Sequence, residues 1–452
     1  MDNTHAGTNA GTQDNPFQSF ADLWPSMSQS DTVYVKGNGP ENPYREALTH
    51  ADLQLSTVYF DWTGTGNERG SMQAYVWGSR NVSDEMSSGW TEHTDGVSGT
   101  YYASTTFGSA TGCAAWLSYY GSGMATIWYL ADDGTVYPLR GAVSWGADTV
   151  NEGEYYWQFV GGERLYINLP GGVDPTGKHL EFICRSVNVE PWDGSIFFGG
   201  VFKFGGYGIR HTTCNNFTVQ DAIAEYNVVA GIRTESLGVG RSYFSRVITR
   251  YNGMYGIWVA GAAYNLEFNY CLSHGNAERG VYVAANQTGN QTDIDFFNLT
   301  VYDTPGTASV TGVGFYVDDA ANAINVTVKN TVVDNSEGDD FYLDDTSGNA
   351  TVTCDYNAYD TVGGDWPAGG NSIDHGGSPG FVSSTNLNLT SSSILRGAAT
   401  DSVYAGDVYD LNLNLIVSGG SAVDGALDIG AYEFLESKKN IMPWIPLLLL
   451  GD

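Results

Sequence analysis

The phrase Tyr-Gly-Ile-Arg-His at Tyr207 returns along the chain as AGIRT, YGIWV, RGVYV, VGFYV and DDFYL, and this repeat constrains the fold more than any other feature. Its hydrophobes Ile209, Ile232, Ile257, Val281, Phe315 and Phe341 stand 23, 25, 24, 34 and 26 residues apart. A second phrase follows each: NFTVQDAIAEYN, SYFSRVITRYN, NLEFNYCLSHGN, DIDFFNLTVYDT, INVTVKNTVVDNS and TVTCDYNAYD. Asn227, Asn252, Asn276 and Asn335 close four of them. Such a period, with two or three short alternating strands, is one rung of a parallel β-helix, each rung stacking on the last at ~4.8 Å. The long step holds the polar insertions TGNQ and TPGTAS. A leucine-rich repeat has a similar period, but its leucine consensus is missing. The expectation is an all-β, right-handed parallel β-helix with the six hydrophobes in one interior column and turn asparagines in a hydrogen-bonded ladder.

Alternation also sends the residue after each core hydrophobe outward. Those residues are Arg210, Arg233, Trp258, Tyr282, Tyr316 and Tyr342, two guanidiniums followed by four rings. Two positions on lie Thr212, Glu235, Ala260, Ala284, Asp318 and Asp344. Aromatic faces bind the C–H faces of sugars while carboxylates and arginines take hydroxyls or acidic groups, so the column reads as a glycan-binding strip. Rings in register also stabilise an exposed sheet simply by stacking, and both readings stay open. Asp318 and Asp344 fall one rung apart, roughly 5 Å, a separation that suits a retaining glycosidase pair. Asp318, Asp319, Asp344 and Asp345 could equally hold calcium through oxygen ligands or be solvated turns. No catalytic triad, phosphate loop or dinucleotide motif is present.

Composition narrows the possible partners. With 51 acidic against 19 basic residues the net charge is −32, which disfavours nucleic acid as a partner. Cys113, Cys184, Cys214, Cys271 and Cys354 are odd in number and lack metal-binding spacing, so they read as small buried hydrophobes. The N-terminus is polar and lacks an apolar signal core, so the expectation is a removed leader or exit within a virus particle.

Phe17, Phe20, Leu23, Trp24 and Met27 share one helical face, predicting an amphipathic helix that covers the open edge of the first rung before a strand at 32–35. Residues 61–198 leave the repeat. They are aromatic-rich with glycine pairs, predicting an inserted β-sandwich-like region. The expected organisation is cap and first coil over 1–60, insertion over 61–198, coils over 199–434 and an apolar tail over 435–452. The tail run from Ile441 to Leu450 holds two prolines and is too short to span a membrane. Left in water it makes a large apolar patch, so it either folds back or docks Ile441, Met442, Trp444, Ile445 and Leu447 into another subunit.

GTQDNPFQSFADL followed by DTVYVKG resembles the N-terminal coil of the pectate-lyase-like right-handed β-helix superfamily of extracellular bacterial and phage proteins. LDIGAYEF, from Leu427 to Phe434, is similar to the last coil of choice-of-anchor Q β-helix proteins. The resemblance covers 7–60 and 200–434. It implies fold and exterior location, and oligomers, often trimers, as in phage tailspikes and fibres; it says little about chemistry. Lyases of this superfamily use calcium-binding aspartates with a Lys or Arg base. Here the coils hold only Lys203 and Lys329, neither beside an acidic cluster. The residue set of polygalacturonase-type hydrolases is missing around His211, His274 and His375. The expectation is therefore a virion or cell-surface structural or adhesive appendage that touches polysaccharide, needs no cofactor and is not an enzyme. The alternatives are a polysaccharide-degrading lyase or glycosidase, and a secreted cell-surface protein.

Overall fold

The computed structural model describes residues 19–37, 39–46, 48, 56–62, 73–105, 125–142, 149–158, 164–212, 215–235, 240–284, 290–307, 310–318, 322–367, 369–377, 379–400, 408–412, 415–418, 421–422 and 427–433. Each repeat becomes one rung of a parallel β-helix with three faces. The first face runs from Thr32–Lys36 through strands such as Ser242–Ser245 and Tyr264–Asn269 to Ala350–Asp355. The second runs from Tyr75–Trp77 to Ile373–Asp374, and the third from Val187–Val189 through Tyr255–Ala260 to Val362–Gly364. Neighbouring strands within each face pair in parallel, as at Ile257↔Val281.

The interior column forms as expected. Ile209, Ile232, Ile257, Val281, Phe315 and Phe341 pair in unbroken register and are fully buried. Phe244, Phe268 and Phe296 stack face to face behind the first face, with successive centroids 4.8 Å apart. Five of these hydrophobes follow a glycine, Gly208, Gly231, Gly256, Gly280 and Gly314, because the second face presses against that position. A Cβ on Gly256 would lie 2.1 Å from Ser273 Oγ, and one on Gly280 would lie 2.2 Å from Val301 Cγ1.

The asparagine ladder runs through Asn188, Asn227, Asn252 and Asn276, with side-chain amides donating rung to rung at 3.3, 3.0 and 2.9 Å. Asn335 does not join it. It occupies the preceding left-handed corner, with φ near 59°, in the position that Tyr226, Tyr251 and Asp303 hold in earlier rungs. Thr304 and Ser336 pair where the ladder would have continued.

The N-terminal helix is one turn, Phe20–Leu23, followed by a tighter turn at Trp24–Ser26; Phe20 and Leu23 pack into the main core. Within 61–198, strands Tyr75–Trp77, Val187–Val189 and Ile196–Phe198 already belong to the helix. Between the first two lies one eight-stranded sheet, antiparallel except where Val136–Gly141 meets Glu154–Gln158. It buries its own core of Ile127, Leu139, Leu165, Ile167, Leu180 and Phe182. Arg45 ties this sheet to the first rungs by donating to both oxygens of Glu181, at 2.6 and 2.7 Å. Burial pushes the Glu181 carboxyl up, but Arg45, His179 and Ser79 outweigh it and hold it below its ordinary value.

Two expectations are corrected here. Cys184 is disulfide-bonded, not a buried hydrophobe, whereas Cys271 and Cys354 are free; Cys113 and Cys214 lie outside the described residues. The segment Leu427–Glu433 does not close a coil, and the second face ends at Ile373–Asp374. Instead it lies across the outer side of that face. Asn298 donates to the Asp428 and Gly430 carbonyls, and the Ala431 amide donates to Thr300 Oγ1 at 2.9 Å. Ile429 packs with Val332, Ala358, Leu389 and Leu395, covering apolar side chains that the face turns outward.

This layer carries a pH response. Glu433 is pushed well above its ordinary 4.5, by burial first and then by Asp428 and Asp410. The folded state therefore favours the protonated carboxyl. Its contribution is complete below about pH 4.5 and is lost as pH rises through the folded-state value. Hydrogen exchange at the Gly430 and Ala431 amides, corrected for intrinsic rates, should show protection falling as pH rises above about 4.5, and Glu433→Gln should flatten that slope. Protection that rises with pH in the same window would refute the assignment.

Candidate functional site

The outward column of the third face forms with the predicted register. Arg210 pairs with Arg233, Arg233 with Trp258, Trp258 with Tyr282, Tyr282 with Tyr316 and Tyr316 with Tyr342. The rings stack along the helix axis with centroids 6.3, 5.4 and 5.2 Å apart and planes inclined by 17°, 26° and 32°. All four rings are half-buried. The Arg233 guanidinium continues the stack, 4.2 Å from the Trp258 ring centroid.

A second set of side chains joins the column, from three positions earlier in the phrase: Tyr207, Tyr255 and Arg279. Tyr255 packs 5.1 Å from both Trp258 and Tyr282. Arg279 lies 4.9 Å from the Tyr316 centroid, and Tyr207 accepts a hydrogen bond from Arg233. The inserted sheet borders this end of the strip: its Leu130 and Val136 share one apolar cluster with Tyr207, Tyr255 and Trp258.

Carboxylates edge the strip at both ends. Glu235 pairs with Arg233 and, at 3.3 Å, with Arg210. Glu190 accepts from Thr212 at 2.6 Å. At the far end Asp318 and Asp344 are register partners on adjacent rungs, which sets their backbones ~4.8 Å apart, and both are partly exposed. The Tyr282 hydroxyl donates to Asp318 at 2.9 Å. Burial first, then the Asp318 charge, push the Tyr282 phenol well above its ordinary value, and the same two causes lift Tyr316 to about 12. Both phenols therefore stay protonated donors across the working pH range.

Of the calcium candidates, Asp345 accepts the Ala350 amide at 3.0 Å within its own turn, and Asp319 lies outside the described residues. Among the described residues no group of three or more His, Cys, Asp or Glu side chains converges as a metal site. The docking-tail residues Ile441, Met442, Trp444, Ile445 and Leu447 also lie outside the described residues. Among the described residues no helix is long and apolar enough to cross a membrane.

The fold is that of the parallel β-helix proteins. It is similar to a solved structure of XylC in complex with xylose, at 11% identity over 78% of this chain and 64% of that one, with a TM-score of 0.52. A second solved structure, a glycoside hydrolase, shares 8% identity over 78% of this chain and 92% of that one, with a TM-score of 0.45. No family model matches the chain, and no curated protein matches it. Neither solved structure is described as a choice-of-anchor protein or a phage appendage, so the virion and adhesion expectations gain no support.

The expectation against an enzyme is corrected. It rested on the lack of a catalytic motif, yet the solved structure with which the chain shares its fold holds xylose. In a β-helix, neighbouring side chains come from successive rungs, so a catalytic pair leaves no local motif to find.

Proposed function

We propose that the third face binds carbohydrate and that the chain cleaves glycosidic bonds there, with Asp318 and Asp344 as its carboxylate pair. One observation carries this reading: a partly exposed Asp pair on adjacent rungs ends a continuous column of rings, and the neighbouring Tyr282 hydroxyl donates to one of the two carboxylates. Stacked on one another, the rings turn edges and hydroxyls outward to meet sugar C–H and hydroxyl groups, and carboxylates about 5 Å apart suit retaining hydrolysis.

The hydrogen bond from Tyr282 holds one carboxylate oxygen of Asp318 in place beside the rings, and we assign Asp318 as the nucleophile. A carboxylate oxygen of Asp318 bonds to the anomeric carbon as the glycosidic C–O bond breaks, and Asp344 gives its proton to the departing oxygen. Water then attacks the glycosyl ester, gives its proton to Asp344 and frees Asp318. The disulfide at Cys184 supports an oxidising, extracytoplasmic setting for this activity.

A panel of soluble polysaccharides, neutral and acidic, incubated with the protein and assayed for new reducing ends, tests the reading. At least one glycan should be cut. Trp258→Ala should weaken binding of that glycan by ~1–2 kcal/mol while the melting temperature stays within a few degrees. Ring-dependent binding with no cleavage of any glycan would leave a binding protein, and no binding at all would leave only a structural stack.

A further inference from the structure

We infer that the glycan taken by this face is neutral, and that Glu235 is the residue that excludes polyuronates and sulfated chains. The inference rests on the third face being the sugar site and goes further by fixing the substrate's charge class.

Three guanidiniums reach the strip, which at first sight suits an anionic polymer. Each already has partners. Arg233 ion-pairs with Glu235, donates to Tyr207 and lies over Trp258. Arg210 meets the same carboxylate at 3.3 Å. Arg279 donates to the Glu278 and Thr311 carbonyls, both at 2.8 Å, and covers Tyr316. One carboxylate thus occupies two of the three cations. The Arg233 and Glu235 side chains are only 14% and 20% exposed, so their pairing is screened less than that of a fully solvated pair.

Asp318 and Asp344 add negative charge at the other end of the strip, and the whole chain carries −32. A uronate or sulfate approaching this face meets repulsion at long range and must displace Glu235 at short range. A neutral sugar meets neither obstacle. Its hydroxyls donate to the carboxylates and its C–H groups pack along the outward edges of the stacked rings, which run from Trp258 to Tyr342 along the helix axis. Glu235 is in this sense a specificity residue that acts by holding Arg210 and Arg233.

Affinity electrophoresis of the full chain decides the matter, in gels cast with soluble xylan, with β-glucan, with polygalacturonate and with heparin at low ionic strength. A neutral glycan should retard the protein while polygalacturonate and heparin should not. Glu235→Gln, which frees two guanidiniums, should gain retention on polygalacturonate of about tenfold, lost again on adding salt. Salt-sensitive retention of the unaltered protein by polygalacturonate or heparin, stronger than by either neutral glycan, would overturn the inference and leave the carbohydrate site standing. Retention by none of the four would overturn the carbohydrate site and the inference together. The comparison among glycans needs only the unaltered chain, so it decides even if Glu235→Gln folds poorly.

Discussion

Asp318→Asn is expected to lower the rate of glycan cleavage by roughly a thousandfold or more, with little change in glycan binding. The amide keeps the size of the carboxylate and its hydrogen bond from Tyr282, but it cannot form the glycosyl ester. Asp344→Asn should slow cleavage by a comparable factor for a different reason, since the departing oxygen then leaves unprotonated. The two roles separate by substrate. A glycoside with an activated leaving group needs no proton, so it should restore the first step in Asp344→Asn and do nothing for Asp318→Asn. With Asp318→Ala, a small anion such as azide can enter the gap and restore turnover. If either Asn variant retains cleavage within about twofold, the pair is not the catalytic one.

Phe268→Ala should be the most damaging single change outside the site. Its ring lies between Phe244 and Phe296, stacked on both at 4.8 Å and within 8° of parallel, and all three are fully buried. Removing it empties a ring-sized space and breaks two stacking contacts, a loss of about 3–5 kcal/mol. Because each rung leans mainly on its neighbours, the loss should be local. Hydrogen-exchange protection should fall most at the Phe244 and Phe296 amides and least at Ile167 in the inserted sheet. A uniform fall across the chain, or a loss below about 1 kcal/mol, would contradict this picture.

The parts of the fold that were legible in the sequence share one cause. Where every rung repeats the same chemistry, as at Ile257 and Val281 or Tyr282 and Tyr316, alternation fixes both the inward and the outward column. The Asp318–Asp344 partnership follows from the same register. Tyr207, Tyr255 and Arg279 were missed because strict alternation from Ile209, Ile257 or Val281 points them inward, whereas Tyr207 and Tyr255 pack in the outer cluster and Arg279 covers Tyr316. Their signal was the recurrence of large side chains at the first position of the phrase.

The segment around Leu427 misled in another way. Leu427, Ile429 and Ala431 alternate and are buried, as rung residues would be, yet they cover the second face from outside. A period of two reports that one side is buried; it does not say against what. Asn335 shows the same limit, since one residue of offset moves an asparagine from the ladder to the solvent-exposed corner.

The column of rings adds one side chain to the strip for each turn of the chain, so the strip behaves as a ruler whose graduation is the rung. Duplicating a single rung, such as Tyr255 to Met254's counterpart Glu278, would insert one more pair of flanking strands and one more ring between Trp258 and Tyr282 without asking the core for any new shape. The length of glycan gripped would then grow in whole steps. Chains of this architecture can therefore change the size of what they hold by copying a stretch of sequence, a route closed to folds whose clefts are assembled from unrelated loops.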